Sequence, residues 1–394
     1  MNAKAYRKYL LWVIVFYFGF NSNYCAQENK ITIGERVRIH SKILNENRSI
    51  LVYQPGEYLV KSYNRYPVLY LLDGTMQFNY AAAIVKYLSE MNRIPKMIVV
   101  GIENVDRTRD YTPYTKTVEE QESYPTSGAA DKFSLFIQKE LVPFIDSLYR
   151  TQNYNILSGW SFGGLFGVHS LLKGEKIFNA YIAASPALFW NRENEKKESE
   201  SALRILQQNR KRLYITCGEM ENDNMRRTIE NFVNKVKEIS PDYLELSYSL
   251  IAGADHDMTP LITVLDGIKF VFRNWQYTPA RHWWENPASV IKNEIIAHFS
   301  TLSREYGFNC KPAEEYINSL GYVYLTKNKP NDAIELFIYN SEIYPESWNV
   351  YDSLGEAYAK AGKLDLAKMY YQKSVQINPN NKNGIDSLNK LNAR

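Results

Sequence analysis

The chain has 394 residues, of which 45% are hydrophobic and 23% charged, with a formal net charge of +4. This composition is typical of a globular protein with a full hydrophobic core, and the length predicts two or three domains. So small a net charge over this length argues against nucleic-acid binding. Three cysteines, Cys25, Cys217 and Cys310, are too few for a disulfide framework. No metal-ligand spacing occurs, so neither a metal nor another cofactor is expected.

The N-terminus predicts a signal peptide over residues 1–26, and therefore an exported protein, periplasmic or secreted. A basic start precedes an apolar run at residues 9–20, which is too short to span a bilayer comfortably. Cleavage after Cys25 or Ala26 is expected. Lipid attachment at Cys25 is a less favoured alternative because the residues before it make a poor lipobox, and an uncleaved anchor is another.

Between residues 27 and 278, predicted strands and helices alternate as in a doubly wound, mostly parallel α/β sheet. Residues 31–53 predict an antiparallel hairpin at the sheet edge. Apolar strands are predicted at residues 68–72, 97–102, 155–158, 180–184, 213–217 and 244–251. Residues 131–148 predict one amphipathic helix, 104–128 a long irregular loop, and 193–212 an exposed helix and loop.

The segment Gly159-Trp160-Ser161-Phe162-Gly163 fits the nucleophile-elbow pattern G-x-S-x-G, with a predicted strand before it and a predicted helix after it. A serine at such a turn has a strained backbone, and the chain packs so closely that glycine is needed on both sides. The helix that follows points unpaired N–H groups toward the hydroxyl. Ser161 is therefore the candidate nucleophile, and an ordinary glycine-rich turn is the alternative.

A serine nucleophile needs a base within hydrogen-bond reach, and the base needs an acid that orients it. In α/β-hydrolases the acid and then the histidine follow the serine along the chain. Of the five histidines, His256 alone lies in a loop between a late strand and the last helix of the sheet region. The acid is expected after the strand at 213–217, where Glu219, Glu221 and Asp223 are candidates. Glu221 is favoured because it follows a short turn.

An oxyanion hole requires two N–H groups aimed at the oxygen that becomes negative during acyl transfer. One is expected from Phe162, and the other from Gly74 or Thr75, after the strand at 68–72. These positions and His256 all follow carboxyl ends of predicted strands, where ligands bind in such sheets. Substrate contacts are expected from Asp73, Gly74, Trp160, Arg109, Asp110, Tyr111 and Trp190.

Four segments, in order, resemble the putative esterase family, which includes esterase D, enterochelin-type siderophore esterases, feruloyl esterases and mycolyltransferases. They are residues 66–74 (YPVLYLLDG), 107–113 (RTRDYTP), 159–164 (GWSFGG) and 253–256 (GADH). The resemblance covers about residues 31–275 and implies an α/β-hydrolase fold with a triad of Ser161, Glu221 and His256. The mycolyltransferase branch places the second oxyanion donor at Thr75. Many relatives have Asp where this chain has Glu221.

Residues 279–394 predict a linker followed by a small all-α domain. Five residue pairs of the same type stand 34 apart: Leu320 and Leu354, Gly321 and Gly355, Tyr324 and Tyr358, Ala333 and Ala367, and Pro345 and Pro379. The period and the residue pattern resemble the tetratricopeptide repeat. Two repeats are too few for a free array. Helices near 289–306 and 382–391 are therefore expected to cap them, or the repeats are expected to dock on the preceding domain.

These patterns predict an exported serine esterase that hydrolyses a small-molecule carboxylic ester through a Ser-His-Glu triad and an acyl-enzyme. A siderophore, feruloyl or acetyl-sugar ester is the expected substrate class, and acyl transfer to an acceptor other than water is the alternative chemistry. Residues 104–128 and the surroundings of Trp190 are expected to set specificity. The second hypothesis is a non-catalytic scaffold whose repeats recruit a protein partner or mediate self-association.

Overall fold

The computed structural model describes residues 32–56, 58, 64–190, 210–239 and 243–393. The predicted signal peptide, Cys25 and most of the predicted exposed helix and loop over 193–212 lie outside the described residues. In the part that is described, no helix is long and apolar enough to cross a membrane.

Eight strands form one mixed sheet in the order β1-β2-β4-β3-β5-β6-β7-β8. Their bounds are β1 Glu35–Ser41, β2 Glu46–Tyr53, β3 Tyr66–Leu71, β4 Ile98–Ile102, β5 Thr151–Trp160, β6 Ala180–Ala184, β7 Lys211–Gly218 and β8 Leu244–Ile251. β1 and β2 form the predicted edge hairpin, and β2 pairs antiparallel with β4. The other pairs are parallel, so the carboxyl ends of β3 to β8 lie along one edge of the sheet.

Helices cover both faces of the sheet. Their bounds are α1 Gly74–Glu90, α2 Arg107–Tyr111, α3 Val118–Ser123, α4 Ala130–Phe136, α5 Val142–Leu148, α6 Phe162–Leu172, α7 Asp223–Ile239 and α8 Thr259–Val271. Successive strand side chains point to opposite faces, so Leu69 packs with α1 and α8 while Tyr70 packs with α4 to α7. All six residues of β3 are buried because both faces are covered.

Two predicted segments differ from the structure. Residues 104–128, predicted as an irregular loop, contain the short helices α2 and α3, and the Asp106 carboxylate caps α2 by accepting from the Arg109 N–H at 2.9 Å. The helix predicted over 131–148 is interrupted by a π-helical turn at Ile137–Leu141. Pro143 has no N–H to donate to the carbonyl four residues earlier, so a regular helix could not keep all its hydrogen bonds here.

The C-terminal region is helical, as the repeat predicts. Its helices are α9 Ala288–Tyr306, α10 Glu314–Thr326, α11 Pro330–Ile343, α12 Trp348–Lys360, α13 Leu364–Ile377 and α14 Lys382–Asn392. A Cβ at Gly321 would lie 2.2 Å from the Phe337 ring, and one at Gly355 would lie 2.7 Å from the Tyr371 ring. The glycines that recur after 34 residues therefore let each helix pair cross closely.

Helix α9 joins the repeats to the sheet region. The buried guanidinium of Arg212, at the start of β7, donates to the Tyr154 hydroxyl at 3.0 Å and pairs with the Glu305 carboxylate. The Tyr306 hydroxyl donates to the Val271 carbonyl at 3.0 Å. The apolar core on the α1 and α8 face continues through α9 into the repeats. The repeats therefore dock on the sheet region, one of the two arrangements predicted from the sequence.

Candidate active site

Ser161 stands between β5 and α6 with φ 57° and ψ −115°, a strained backbone conformation for a residue with a side chain. Its N–H donates to the Ala184 carbonyl at 3.0 Å, and its carbonyl accepts from the Ala187 N–H at 3.1 Å. A Cβ at Gly159 would lie 2.3 Å from the Gly163 carbonyl oxygen, so only glycine fits there. The structure thus shows the sharp strand-to-helix turn that the motif predicts.

The side chains of Glu221 and His256 are hydrogen-bonded. The Oε1 atom of Glu221 lies 2.7 Å from Nδ1 of His256, and the carboxylate is almost fully buried. The other two candidate acids lie elsewhere: Glu219 accepts from the Gly253 N–H at 2.7 Å, and Asp223 is exposed at the start of α7. Of the three candidates, the structure brings the favoured one to the histidine.

The loop that carries His256 is tied to the elbow through Trp160. The Trp160 indole N–H donates to the His256 carbonyl at 3.0 Å, and the two ring centroids lie 5.0 Å apart. The imidazole therefore lies beside the residue that precedes Ser161. Across the described residues, no hydrogen bond joins the Ser161 hydroxyl to His256. Hydrogen bonds of this kind are often long until substrate binds.

The predicted oxyanion donors stand at two helix N-termini. Phe162 is the first residue of α6, and Gly74 and Thr75 are the first two of α1, so their N–H groups have no acceptor within their own helices. Since β3 and β5 are neighbouring strands, the two termini begin at adjacent strand ends. A Cβ at Gly74 would lie 2.7 Å from the carbonyl carbon of Gly101, so this close approach requires glycine.

Arg107 links these two helix N-termini. Its guanidinium donates from Nε to the Asp73 carboxylate at 2.7 Å and from Nη2 to the Trp160 carbonyl at 2.9 Å. It also lies over the Phe162 ring, 5.8 Å from the centroid. Burial lowers the pKa of Arg107, but the hydrogen bond and charge of Asp73 outweigh it and leave the pKa above its ordinary value. The guanidinium therefore stays charged.

Asp73, buried and with φ 54°, forms the turn that presents the Gly74 and Thr75 amides. Its carboxylate accepts from Arg107 and from the Asn104 side-chain amide at 2.6 Å. This ion pair holds a strained turn in place, which gives Asp73 a supporting position, and its predicted contact with substrate stays a prediction. Arg107 belongs to the 107–113 segment but is not among the site residues predicted from the sequence.

Arg109 and Asp110 take part in a different network. The Arg109 guanidinium donates to the Glu46 carboxylate at 2.7 Å and to Asp110 at 2.8 Å, and the hydrogen bond to Glu46 raises the pKa of Arg109. The buried Asp110 also pairs with Arg48 at 2.5 Å. These contacts attach α2 to the edge hairpin. The structure gives both residues a supporting position, and their predicted contact with substrate stays a prediction.

Tyr111 and Trp190 are buried beneath the site. The Tyr111 hydroxyl accepts from the Asp73 N–H at 3.1 Å and donates to Asn104 at 2.6 Å. The fully buried Trp190 donates its indole N–H to the Pro113 carbonyl at 3.0 Å. Both side chains are held by hydrogen bonds to residues around the elbow, and their predicted contact with substrate stays a prediction. Trp160 is partly exposed beside His256 and remains placed for that contact.

A family model described as Putative esterase matches residues 41–260, more than half of the chain, and a tetratricopeptide-repeat model matches residues 349–381. The ferri-bacillibactin esterase BesA of Bacillus subtilis is 27% identical over 268 residues, which cover 61% of this chain and 91% of BesA.

Solved structures show the same fold. An IroE-like serine hydrolase from Shewanella oneidensis aligns with a TM-score of 0.69 and 26% identity, covering 79% of this chain and 99% of its own. An uncharacterised protein from Capnocytophaga ochracea aligns with a TM-score of 0.62 and 18% identity, and the alignment covers 91% of this chain and 99% of that protein. At this identity, the likeness shows the fold alone. With a family model over more than half of its length, the chain belongs to the putative esterase family, with a tetratricopeptide repeat at its C-terminus.

Proposed function

We propose that the protein is an exported serine esterase. Ser161 is the nucleophile, His256 the general base and acid, and Glu221 the acid that orients the imidazole. The observation that carries the proposal is the 2.7 Å contact between Glu221 and His256, in a loop bonded to the elbow that holds Ser161.

In the first half-reaction, the Ser161 oxygen attacks the ester carbonyl while His256 takes the hydroxyl proton. The N–H groups of Phe162 and Thr75 stabilise the resulting oxyanion. When the C–O bond of the ester breaks, His256 returns the proton to the departing alcohol. Water then attacks the acyl-enzyme with His256 again as base, and the carboxylic acid leaves as Ser161 is restored.

The substrate class rests on relatives and on the elbow surroundings. BesA is named as a ferri-bacillibactin esterase, and two shorter matches are named as siderophore esterases, so siderophore esters are the class to test first. The feruloyl and acetyl-sugar esters expected from the sequence come after them. Tyr124, from the segment 104–128, is partly exposed and packs edge-on against Phe162 at 5.4 Å. This contact supports a role for that segment in specificity.

Hydrolysis of 4-nitrophenyl butyrate by wild type and by Ser161→Ala tests the proposal. We expect the Ser161→Ala variant to hydrolyse the ester at close to the uncatalysed rate and to keep the melting temperature of wild type. Equal rates for the two proteins would overturn it. Adding an alcohol acceptor and measuring the ester formed separates hydrolysis from acyl transfer.

The repeats support a second role beside catalysis, in recruiting a protein partner or another copy of this chain. Light scattering of the purified chain over a range of concentrations tests self-association. A monomer at all concentrations would exclude self-association and leave recruitment of a different protein as the proposed role.

A further inference from the structure

The loop that carries His256 has little packing of its own. It joins β8 to α8, and most of residues 252–258 are exposed. The His256 side chain is 31% exposed, and its hydrogen bond to Glu221 holds one ring atom, Nδ1. A ring held at one atom can still turn about that bond and carry Nε2 away from Ser161. Other contacts of His256 therefore decide where Nε2 lies.

Trp160 supplies two of these contacts. Its indole N–H donates to the His256 carbonyl at 3.0 Å, which holds the backbone of the loop. Its ring lies against the imidazole, with the centroids 5.0 Å apart and the planes 40° apart, and so limits rotation of the imidazole. The same carbonyl accepts from the Thr259 hydroxyl at 2.9 Å, so both of its lone pairs are used. Trp160 thus contacts both the backbone and the side chain of His256.

Trp160 is itself fixed on the elbow side of the site. It is the last residue of β5, where it pairs with Ala184 of β6, and it directly precedes Ser161. Its carbonyl accepts from Arg107 at 2.9 Å, and the same guanidinium lies over the indole, 5.5 Å from the ring centroid. A paired strand in the sheet opens less readily than an exposed loop. The indole is therefore the fixed partner in its contacts with His256.

We infer that Trp160 is a positioning residue for the base, which holds the imidazole of His256 within reach of Ser161. The inference rests on the proposed function, in which His256 is the base. It assigns Trp160 an effect on the proton transfer itself, which is common to all ester substrates. Misplacing a reacting group by about 1 Å can cost roughly 100-fold in rate.

The first arm of the test measures Trp160→Phe on 4-nitrophenyl acetate and hexanoate. Phenylalanine keeps an aromatic ring but has no N–H for the His256 carbonyl. We expect kcat and kcat/KM to fall together by about tenfold, and by the same factor on both esters, because the imidazole handles the same proton in each. Trp160→Leu, which also removes the ring, should lose more. Trp348→Phe, at a tryptophan 37% exposed on α12, is the control and should match wild type.

The second arm removes the base. The rate at which a fluorophosphonate probe labels Ser161 is followed by intact mass in wild type, Trp160→Phe, His256→Ala and the double variant. We expect Trp160→Phe to slow labelling about tenfold in the wild-type background and not at all in the His256→Ala background, because no imidazole remains to be positioned. Equal slowing in both backgrounds would place the effect of Trp160 on the oxyanion donors or the elbow and overturn the inference.

Two further results would overturn the inference while labelling of Ser161 leaves the proposed function standing. One is a wild-type rate in Trp160→Phe or Trp160→Leu. The other is a loss confined to the hexanoate ester, which would make Trp160 a contact for the substrate chain. Labelling as fast in His256→Ala as in wild type would instead overturn the proposed function.

Discussion

The Oε1 atom of Glu221 lies 2.7 Å from Nδ1 of His256, and this contact leaves Nε2 as the imidazole nitrogen available to the proposed nucleophile, Ser161. A carboxylate accepts hydrogen bonds, so Nδ1 carries the proton in this pair. The lone pair of the neutral ring is then on Nε2. That is the tautomer a serine hydrolase needs, because Nε2 has to take the hydroxyl proton.

Glu221→Gln is expected to reduce kcat by roughly 10³- to 10⁴-fold, because an amide can donate to Nδ1 and favour the wrong tautomer. The measurement is the steady-state rate on a nitrophenyl ester, with the melting temperature as a check of folding. Glu219→Gln is the matched control, since Glu219 accepts from a backbone N–H and does not contact His256. A Glu221→Gln variant with the rate of the control would show that another group orients the base.

Arg107→Lys is expected to reduce kcat by roughly 10- to 100-fold, since misplaced donors lose transition-state stabilisation. An ammonium keeps the charge, but it cannot bond the Asp73 carboxylate with two nitrogens and also reach the Trp160 carbonyl. KM should change little. Arg109→Lys is the control, because the pair of Arg109 with Glu46 lies where α2 contacts the edge hairpin. This variant should lower the melting temperature and leave kcat nearly unchanged. Equal kcat values for wild type and Arg107→Lys would contradict this role.

Features of the site that depend on residues close in sequence could be predicted, and features that depend on contacts between distant residues could not. The positions of Ser161, Glu221 and His256 after strand ends could be predicted, because the apolar residues of each strand reveal it. The contact of Arg107 with Trp160 could not, since the two residues are 53 apart in sequence. The buried pair of Asp110 with Arg48 is equally non-local, at 62 residues, so the sequence pattern did not reveal it.

The difference between the predicted and observed helix over residues 131–148 has a local cause that the apolar pattern does not show. The apolar spacing of residues 131–148 is helical throughout, and the π-helical turn before Pro143 leaves that spacing almost unchanged. The repeat, in contrast, could be predicted, because the same close packing requires glycine in both units. Gly321 packs against the Phe337 ring, and Gly355 packs against the Tyr371 ring.

Ser161→Gly is expected to be more stable than Ser161→Ala by about 1 kcal/mol in the free energy of unfolding. Glycine adopts φ 57° without the strain that a Cβ causes, although it loses more entropy on folding. Both variants should be inactive. Urea unfolding followed by circular dichroism gives the comparison, and an alanine variant at least as stable as the glycine variant would show that the elbow is unstrained.

Burial of Lys211 predicts a pH dependence of stability. Burial lowers the pKa of Lys211 from 10.5 to about 8, while its ammonium donates to the carbonyls of Phe178 and Glu175. Between pH 8 and 10.5 the unfolded chain binds more protons at this position, so its contribution to the free energy of unfolding rises with pH, by at most about 1.4 kcal/mol per unit.

Lys211→Met should remove that rise, so its free energy of unfolding should climb less than that of wild type between pH 8 and pH 10. The exposed Lys382→Met is the control and should follow wild type. Parallel curves for wild type and Lys211→Met would contradict the lowered pKa.

Labelling with a fluorophosphonate probe, read by intact mass and peptide mapping, tests most directly whether Ser161 is an activated nucleophile. We expect one adduct per chain on Ser161 in wild type, none in Ser161→Ala, and much slower labelling in His256→Ala. A wild-type chain that does not react, or an adduct that persists at another residue in Ser161→Ala, would contradict the account.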